Sequence, residues 1–293
     1  MYHIIYNPFS GRKKKSNNKI AKIYEVLKEN NKEYEVFETQ YQNHPYEIAK
    51  KLAEEYGHGD IIVIGGDGTL NEVLNGLGDT ISNWNIGIVP AGSGNDFASC
   101  LNFEFDPVKN IQTILDGHIT KVDYIKINDR MCLNILGTGI DVEVLQNFEK
   151  HTRLKGKFRY LYSLIEALLH IKWHEFDVSL DDGPFEHKDG FIITLCNGST
   201  FGGGITICPN ANPSDGMLEF VYVDKMKKSK VLGCLMKVLK KKVFSLKQTQ
   251  HVFCKKAVFR DSKNLIIQID GNISKDYNEY RCEIVPQGIN IYK

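Results

Sequence analysis

No apolar run in these 293 residues approaches the length of about 18 that a membrane-spanning helix requires, so no segment of them is expected to cross a bilayer. The first residues, Met1-Tyr-His-Ile-Ile-Tyr-Asn-Pro8, lack the basic start and long apolar core of a secretion signal. The seven cysteines (Cys100, Cys132, Cys196, Cys208, Cys234, Cys254 and Cys282) include no Cys-x-x-Cys pair. An odd, dispersed set argues against a disulfide framework and for reduced, buried thiols in a cytoplasmic protein. An excess of charge of one sign is missing too. The formal net charge is +1, so no nucleic-acid partner is expected and any basic character is local. Neither Gly-x-x-x-x-Gly-Lys-[Ser/Thr] nor Gly-x-Gly-x-x-Gly after a strand occurs, which removes the commonest nucleotide fingerprints. What remains is an ordinary globular composition, 42% hydrophobic and 25% charged, in a chain long enough for two domains.

The most informative stretch is Asp60-Ile-Ile-Val-Ile-Gly-Gly-Asp-Gly-Thr-Leu-Asn71. Four β-branched residues in succession suit a strand buried on both faces of a parallel sheet. Leu70, Val73, Leu74 and Leu77 then follow at helical spacing. Glycines between a strand and a helix let the backbone approach a ligand, and the free N–H groups of the helix start bind phosphate. Asp67 adds a carboxylate where a metal or a reacting hydroxyl could sit; read alone, the same turn is a tight strand-to-helix connection with an Asp cap.

Two further loops stand at strand ends. Tyr2–Tyr6 is a short apolar strand running into Asn7-Pro-Phe-Ser-Gly11 and the basic run Arg12–Lys15; Ile86–Val89 runs into Pro90-Ala-Gly-Ser-Gly-Asn-Asp-Phe97. Helical patterns around Ile20–Leu27 and Ile48–Ala53, and a strand at Glu33–Glu38, alternate with these. The alternation predicts a doubly wound α/β domain, in which ligands bind outside the carboxyl ends of the strands. Ser10, Gly11, Gly65, Gly66, Gly68, Thr69, Ser93 and Asn95 then offer one convergent set of phosphate donors. After about residue 120 the pattern changes. Strands are expected at 121–127, 131–136, 175–180, 190–196, 217–223, 251–259, 264–270, 281–285 and 289–292, with helices at 157–170 and 227–242. Short strands between Gly, Asp and Pro turns predict an antiparallel β-sandwich or barrel.

Taken together, Asn7-Pro8-x-Ser10-Gly11, Gly65-Gly-Asp-Gly-Thr-Leu-Asn71, Pro90-x-Gly-Ser-x-Asn-Asp-Phe97, Gly137-Thr-Gly-Ile-Asp141, Gly202-Gly-Gly-Ile-x-x-x-Pro209, Ser214-Asp-Gly-Met-Leu218 and Ile269-Asp-Gly271 resemble the signature motifs of the diacylglycerol kinase catalytic-domain family. That family includes sphingosine and ceramide kinases and soluble bacterial lipid kinases. The resemblance implies an ATP-binding α/β domain at 1–121, to which 284–293 can return, and a lipid-binding β-sandwich at 122–283. It implies an ATP site from Asn7, Pro8, Phe9, Ser10, Gly11, Thr39, Gly65, Gly66, Asp67, Gly68, Thr69, Leu70, Asn71, Ser93 and Asp96. Asp67 would face catalytic magnesium or the acceptor hydroxyl. A structural Mg2+ would be held by Asp215 with the carbonyls of Asn212 and Met217, oxygen ligation that suits the ion; without the family, an Asp-Gly hairpin turn would be the simpler reading of Asp215.

The family's closing Asp-Gly-Glu departs here to Asp270-Gly271-Asn272. An amide accepts no proton at neutral pH, so Asp270 or Asp67 takes that role, or activity is low, or the chain is an inactive relative. Asp67, Asp270 and Asn272 are therefore the candidate catalytic positions. Other motifs read blandly: His170 and His174, four apart, are a surface or core pair before they are metal ligands, and Asp181-Asp-Gly-Pro184 is a turn. Lys227–Lys242 places an apolar stripe (Val231, Leu232, Leu235, Val238, Leu239) among seven lysines, which suits either an anionic lipid surface or a solvated helix covering the sandwich. The resulting expectation is a cytoplasmic, peripherally membrane-associated, ATP- and Mg2+-dependent lipid kinase, with the oligomeric state left open and a homodimer one option. The alternatives are a NAD kinase-like enzyme and a lipid- or nucleotide-binding pseudokinase.

Overall fold

The computed structural model describes residues 1–293 except 12, 153, 155, 171 and 262–264; the side chains of 13–19, 156 and 157 also lie outside the description. The basic run Arg12–Lys15 thus falls outside the described side chains. The chain forms two compact units, Met1–Tyr124 with Val285–Lys293, and Ile125–Ile284.

The first unit alternates β1 (Tyr2–Tyr6), α1 (Lys13–Glu29), β2 (Tyr34–Glu38), α2 (His44–Tyr56), β3 (Gly59–Gly65), α3 (Asp67–Leu77), β4 (Trp84–Pro90), α4 (Asp96–Cys100) and α5 (Pro107–Asp116). Its strands run in the order β2-β1-β3-β4, all parallel, and Asn290 and Ile291 of the last strand pair in parallel with Asn85 and Ile86 of β4. The unbroken apolar run of β3 has the predicted cause: Ile61, Ile62, Val63 and Ile64 are all buried. Side chains alternate across a strand, so Ile62 and Ile64 share one core with Ile4, Tyr6 and Val89, closed by Ile23 and Leu27 of α1 and Ile111 and Ile114 of α5. Each such burial stabilises the sheet by roughly 1.5–3 kcal/mol. Helix α5 is an addition to the elements expected above. Its boundaries are chemical: Asp106 accepts a hydrogen bond from the Val108 N–H at 2.9 Å, Pro107 opens the helix, and Gly117 ends it with φ +76°.

The chain leaves through β5 (Ile119–Ile127). The second unit contains β6 (Arg130–Cys132), β7 (Ile135–Gly139), α6 (Ile140–Lys150), α7 (Gly156–Leu169), β8 (His174–Leu180), β9 (Glu186–Cys196), β10 (Thr200–Phe201), β11 (Ile205–Thr206), β12 (Leu218–Asp224), α8 (Lys228–Leu239), β13 (Thr249–Cys254), β14 (Lys256–Arg260), β15 (Ile267–Ile269), β16 (Asn272–Ser274) and β17 (Glu279–Tyr292), whose end returns to the first unit. The ladder β16-β15-β7-β9-β8-β14-β17 is antiparallel throughout, and β12 pairs antiparallel with both β9 and β13. Alternation again sorts the cores. Ile193, Leu195, Phe220 and Tyr222 enter one, while Ile192, Cys196, Val221 and Val223 enter the other with Val231, Cys234 and Val238 of α8. All seven cysteines are free and six are buried.

Several boundaries move for identifiable reasons. The expected strand 131–136 breaks after Cys132, because the N–H groups of Leu133, Asn134 and Ile135 turn to a carboxylate, Asp270. The expected strand 251–259 divides at Lys255. There β13 pairs with β12 and β14 with β8 and β17, and the Lys255 and Lys256 N–H groups both donate to Asp181 at 2.8 and 2.9 Å. Segments 281–285 and 289–292 are one strand, β17, in which Gln287 takes φ +53° and donates its N–H to Asp123 at 2.7 Å. The His170/His174 pair does not share a helix face, since α7 ends before His170 and His174 opens β8.

Candidate active site

Because β1, β3 and β4 are parallel neighbours, the loops at their carboxyl ends lie side by side. Short bonds join them. The Asn7 N–H donates to the Ile64 carbonyl at 2.9 Å and the Ala91 N–H to the Gly65 carbonyl at 2.7 Å. The Asn7 amide donates to Thr69 Oγ1 at 2.9 Å, and the Phe97 N–H donates to Asp67 Oδ1 at 3.1 Å. Gly66 and Gly92 meet backbone to backbone: a Cβ on Gly92 would stand 2.5 Å from the Gly66 Cα, so this crossing admits only glycine. Asn95, at φ +54°, folds its amide onto Gly92, accepting from its N–H at 2.9 Å and donating to its carbonyl at 3.0 Å. Its side chain therefore braces the third loop, in contrast to the donor role expected from the sequence.

Helix α3 starts at Asp67, and its first described backbone bond runs from Leu70 N–H to the Gly66 carbonyl. The N–H groups of Asp67, Gly68 and Thr69 precede any intrahelical acceptor. A cavity of about 540 Å3 opens here, lined by Asn7, Phe9, Ser10, Thr39, Gly66, Gly68 and Thr69 among the predicted residues. The other predicted positions, Asp67 among them, are not part of its wall. Leu70 is a core side chain, Asn71 holds Asn75 through its carbonyl and side-chain oxygens, Ser93 is exposed, and Asp96 is buried at the start of α4. Pro8, Gly11 and Gly65 do not line the cavity; Gly11 approaches the third loop so closely that a Cβ would lie 2.6 Å from the Ala91 carbonyl oxygen.

Five lining residues were not anticipated: Gln40, Tyr41, Gln42, Pro45 and Glu72. Tyr41 stacks on His44 at 4.6 Å and donates to Glu47 at 2.7 Å. Glu72 accepts the Asn43 N–H at 3.1 Å, and partial burial raises its pKa despite that bond. Gln40, Tyr41, Gln42 and Pro45 follow β2 as the glycine loops follow their own strands, so their signal was positional: a polar segment at a fourth strand end; Glu72 comes from the second turn of α3.

In the second unit, Asp270 and Gly271 form the two-residue turn between β15 and β16, with φ +46° and +84°, the left-handed pair of a tight hairpin. The Asp270 carboxylate accepts the Leu133, Asn134 and Ile135 N–H groups at 2.7, 2.9 and 3.2 Å and the Cys132 thiol at 3.2 Å. Burial raises its pKa and these donors pull it back. Asn272 is exposed. Asp141, in another of the quoted motifs, is buried at the start of α6 and accepts the Val142 N–H at 2.9 Å; burial pushes its pKa up to about 7.

Asp215 is exposed, its Oδ1 accepts the Met217 N–H at 2.9 Å, and its own N–H donates to the Asn212 carbonyl at 3.3 Å. This all-oxygen surface turn fits an ion that retains several waters. Among the described residues no group of three His, Cys, Asp or Glu is placed to hold a metal.

Comparison with known proteins gives the class of an α/β unit with glycine loops at its strand ends joined in sequence to an antiparallel β unit, and that class is a kinase. The diacylglycerol kinase catalytic domain model matches residues 1–127, and that of the YegS C-terminal NAD kinase beta sandwich-like domain matches 134–293. A diacylglycerol kinase of Staphylococcus saprophyticus is 31% identical over 227 residues, 76% of this chain and 72% of that protein. A diacylglycerol kinase of Staphylococcus epidermidis is 33% identical over 184 residues, 61% of this chain and 56% of that one. A diacylglycerol kinase crystal structure from Bacillus anthracis shares the fold, with a TM-score of 0.75 at 20% identity over 99% of this chain and 96% of that one. The chain belongs to the diacylglycerol kinase family and is a kinase. No helix among the described residues is long and apolar enough to cross a membrane.

Proposed function

We propose that this chain transfers the terminal phosphoryl group of ATP to the hydroxyl of diacylglycerol or a related lipid, giving a phosphatidic-acid-like product. The acceptor would be met at the cytoplasmic face of a membrane. The observation that carries the reading is the cradle formed by the loops after β1, β3 and β4. Backbone N–H groups at the start of α3 would take phosphate oxygens, with the helix dipole favouring their charge. Thr69 Oγ1 already accepts a hydrogen bond from Asn7, so its own proton is left to donate toward a phosphate. Ser10 supplies a second hydroxyl at the cavity wall. Asp67, fixed through one oxygen by the Phe97 N–H, would turn its other oxygen to the acceptor hydroxyl or to magnesium. Magnesium, when bound, neutralises the charge that spreads over the phosphates; the Asp215 turn would hold a structural ion. Phosphoryl transfer draws mainly on positioning and charge stabilisation, which these fixed donors supply.

A second reading rests on one residue: exposed Asn272 cannot accept a proton, which favours a nucleotide- or lipid-binding pseudokinase. The deciding experiment offers γ-labelled ATP and magnesium with mixed micelles of diacylglycerol, sphingosine, ceramide or undecaprenol, and with NAD as a separate acceptor. Label entering a lipid, and lost in Asp67→Ala, supports the proposal. Label entering NAD alone overturns the choice of acceptor, and label entering nothing favours the pseudokinase.

A further inference from the structure

Helix α7 is apolar on two sides. Leu164 and Ala167 are buried with Val144, and Leu168 and Tyr160 pack beside them. The opposite side carries Phe158, Leu161, Tyr162, Ile165 and Leu169, spaced as one helical stripe and all exposed, Phe158 at 80% and Leu169 at 74%. A surface helix of a globular unit ordinarily turns charged residues outward at these positions. Here the two described charged side chains of α7 are engaged elsewhere. Arg159 donates to the Phe148 carbonyl at 2.6 Å and lies 3.9 Å over the Phe148 ring, and Glu166 pairs with His151.

The neighbouring helix repeats the pattern with charge added. Leu235 of α8 packs against the same Val144–Leu164–Ala167 cluster, and Val231, Cys234 and Val238 are buried. Leu232, Met236 and Leu239 are exposed at 65%, 46% and 49%. The apolar stripe read from the sequence is thus divided, its Leu232 and Leu239 facing out. Around them the lysines at 227, 228, 230, 237, 240, 241 and 242 are exposed, and no Asp or Glu occurs from Lys225 to Arg260.

We propose that α7 and α8 form a bilayer-docking face, in which α7 enters the interfacial layer with its apolar stripe and α8 holds an anionic leaflet with its lysines. Charge complementarity selects the occupant. A second copy docked through the same face would set one acid-free lysine cluster toward another under two-fold symmetry. An anionic leaflet supplies the missing negative charge over a broad area and receives aromatic and aliphatic side chains at headgroup depth. The inference deepens the lipid-kinase reading, yet its test needs neither nucleotide nor turnover.

The test is co-sedimentation of the full chain with phosphatidylcholine vesicles, and with vesicles in which phosphatidylglycerol replaces part of the phosphatidylcholine. Wild type is expected to bind the anionic vesicles at least about tenfold better, with the advantage shrinking as salt is raised. Phe158→Ser combined with Leu169→Ser should lower binding to both vesicle types by about tenfold or more, as expected when interfacial apolar area is removed. Lys237→Gln, Lys240→Gln and Lys241→Gln together should remove only the anionic preference. These positions are exposed, so the melting temperature of each variant should match wild type and exclude misfolding as the cause. Wild type remaining in the supernatant with both vesicles would overturn the proposal. So would undiminished binding by the serine variant, or a serine variant that only converts a dimer to a monomer in light scattering. Label transfer to a short-chain lipid in solution, measured on the same variants, should be unchanged, which separates failure of docking from failure of the kinase reading.

Discussion

Asp67 and Asp270 each precede a glycine in a tight turn, yet the two turns do opposite things. The Asp67 turn joins a parallel strand to a helix, and its backbone donors at the helix start have no acceptor within the helix. The Asp270 turn joins two antiparallel strands, and its carboxylate gathers three N–H groups and a thiol from the Cys132–Ile135 segment. A helix start offers donors outward to an anion, whereas a hairpin acid that draws donors inward becomes an anchor. Identical dipeptides thus separate into one at a helix start whose N–H groups have no acceptor within the helix and one whose carboxylate is filled by backbone donors, and what decides between them is where the neighbouring N–H groups find acceptors.

The contrast predicts unequal consequences. Asp67→Ala should lower label transfer by about 10²–10³-fold, the scale of losing one preorganised electrostatic group, with a small change in urea midpoint. Asp270→Ala should do the reverse first: stranding buried N–H groups of Leu133, Asn134 and Ile135 should destabilise the chain by about 3–5 kcal/mol, read from urea unfolding. An Asp270→Ala chain that keeps its midpoint but loses turnover would break the comparison and return that acid to the chemistry. Asp141 sharpens it, being buried with fewer donors than Asp270. Its folded pKa of about 7 lies above its unfolded value, so its favourable contribution is fully present below about pH 4 and is lost as pH rises toward 7. Asp141→Asn should flatten that decline, raising relative stability at pH 7 by roughly 2–4 kcal/mol in urea titrations across this range. Asn272→Glu, at an exposed position, should change stability by less than about 0.5 kcal/mol. If its turnover rises more than about tenfold, position 272 rather than Asp67 receives the proton, since general bases contribute on that scale or above.

What was legible in the sequence was local. The run Ile61–Ile64 declared a strand buried on both faces, and glycines at 65, 66 and 68 declared the turn, because period and backbone freedom are written in adjacent residues. Convergence of the loops after β1, β3 and β4 was readable from the alternation of strands and helices alone. The anchor role of Asp270 was not, since its partners lie more than a hundred residues earlier and the bonds are to backbone, which carries no residue-type signal. Tyr41 escaped for a related reason, since a cavity wall without glycine looks like any polar loop, and Glu72 because a charged helix position ordinarily faces solvent. In α7, apolar spacing marked the helix but could not tell its buried side from its exposed one, because both sides carry the same kinds of residue.

The pairing of Asn290 and Ile291 with β4 bears on how the chain is made. A ribosome releases Met1–Tyr124 well before the residues that complete the first unit, and all of Ile125–Ile284 is synthesised in between. During that interval the outer edge of β4 lacks the partner it finally acquires, and unpaired strand edges are sites of mispairing between nascent chains. A chain halted anywhere before Ile291 would carry that open edge, so the nucleotide-type unit is finished only as the last strand arrives, and chaperone demand during synthesis should fall at that point.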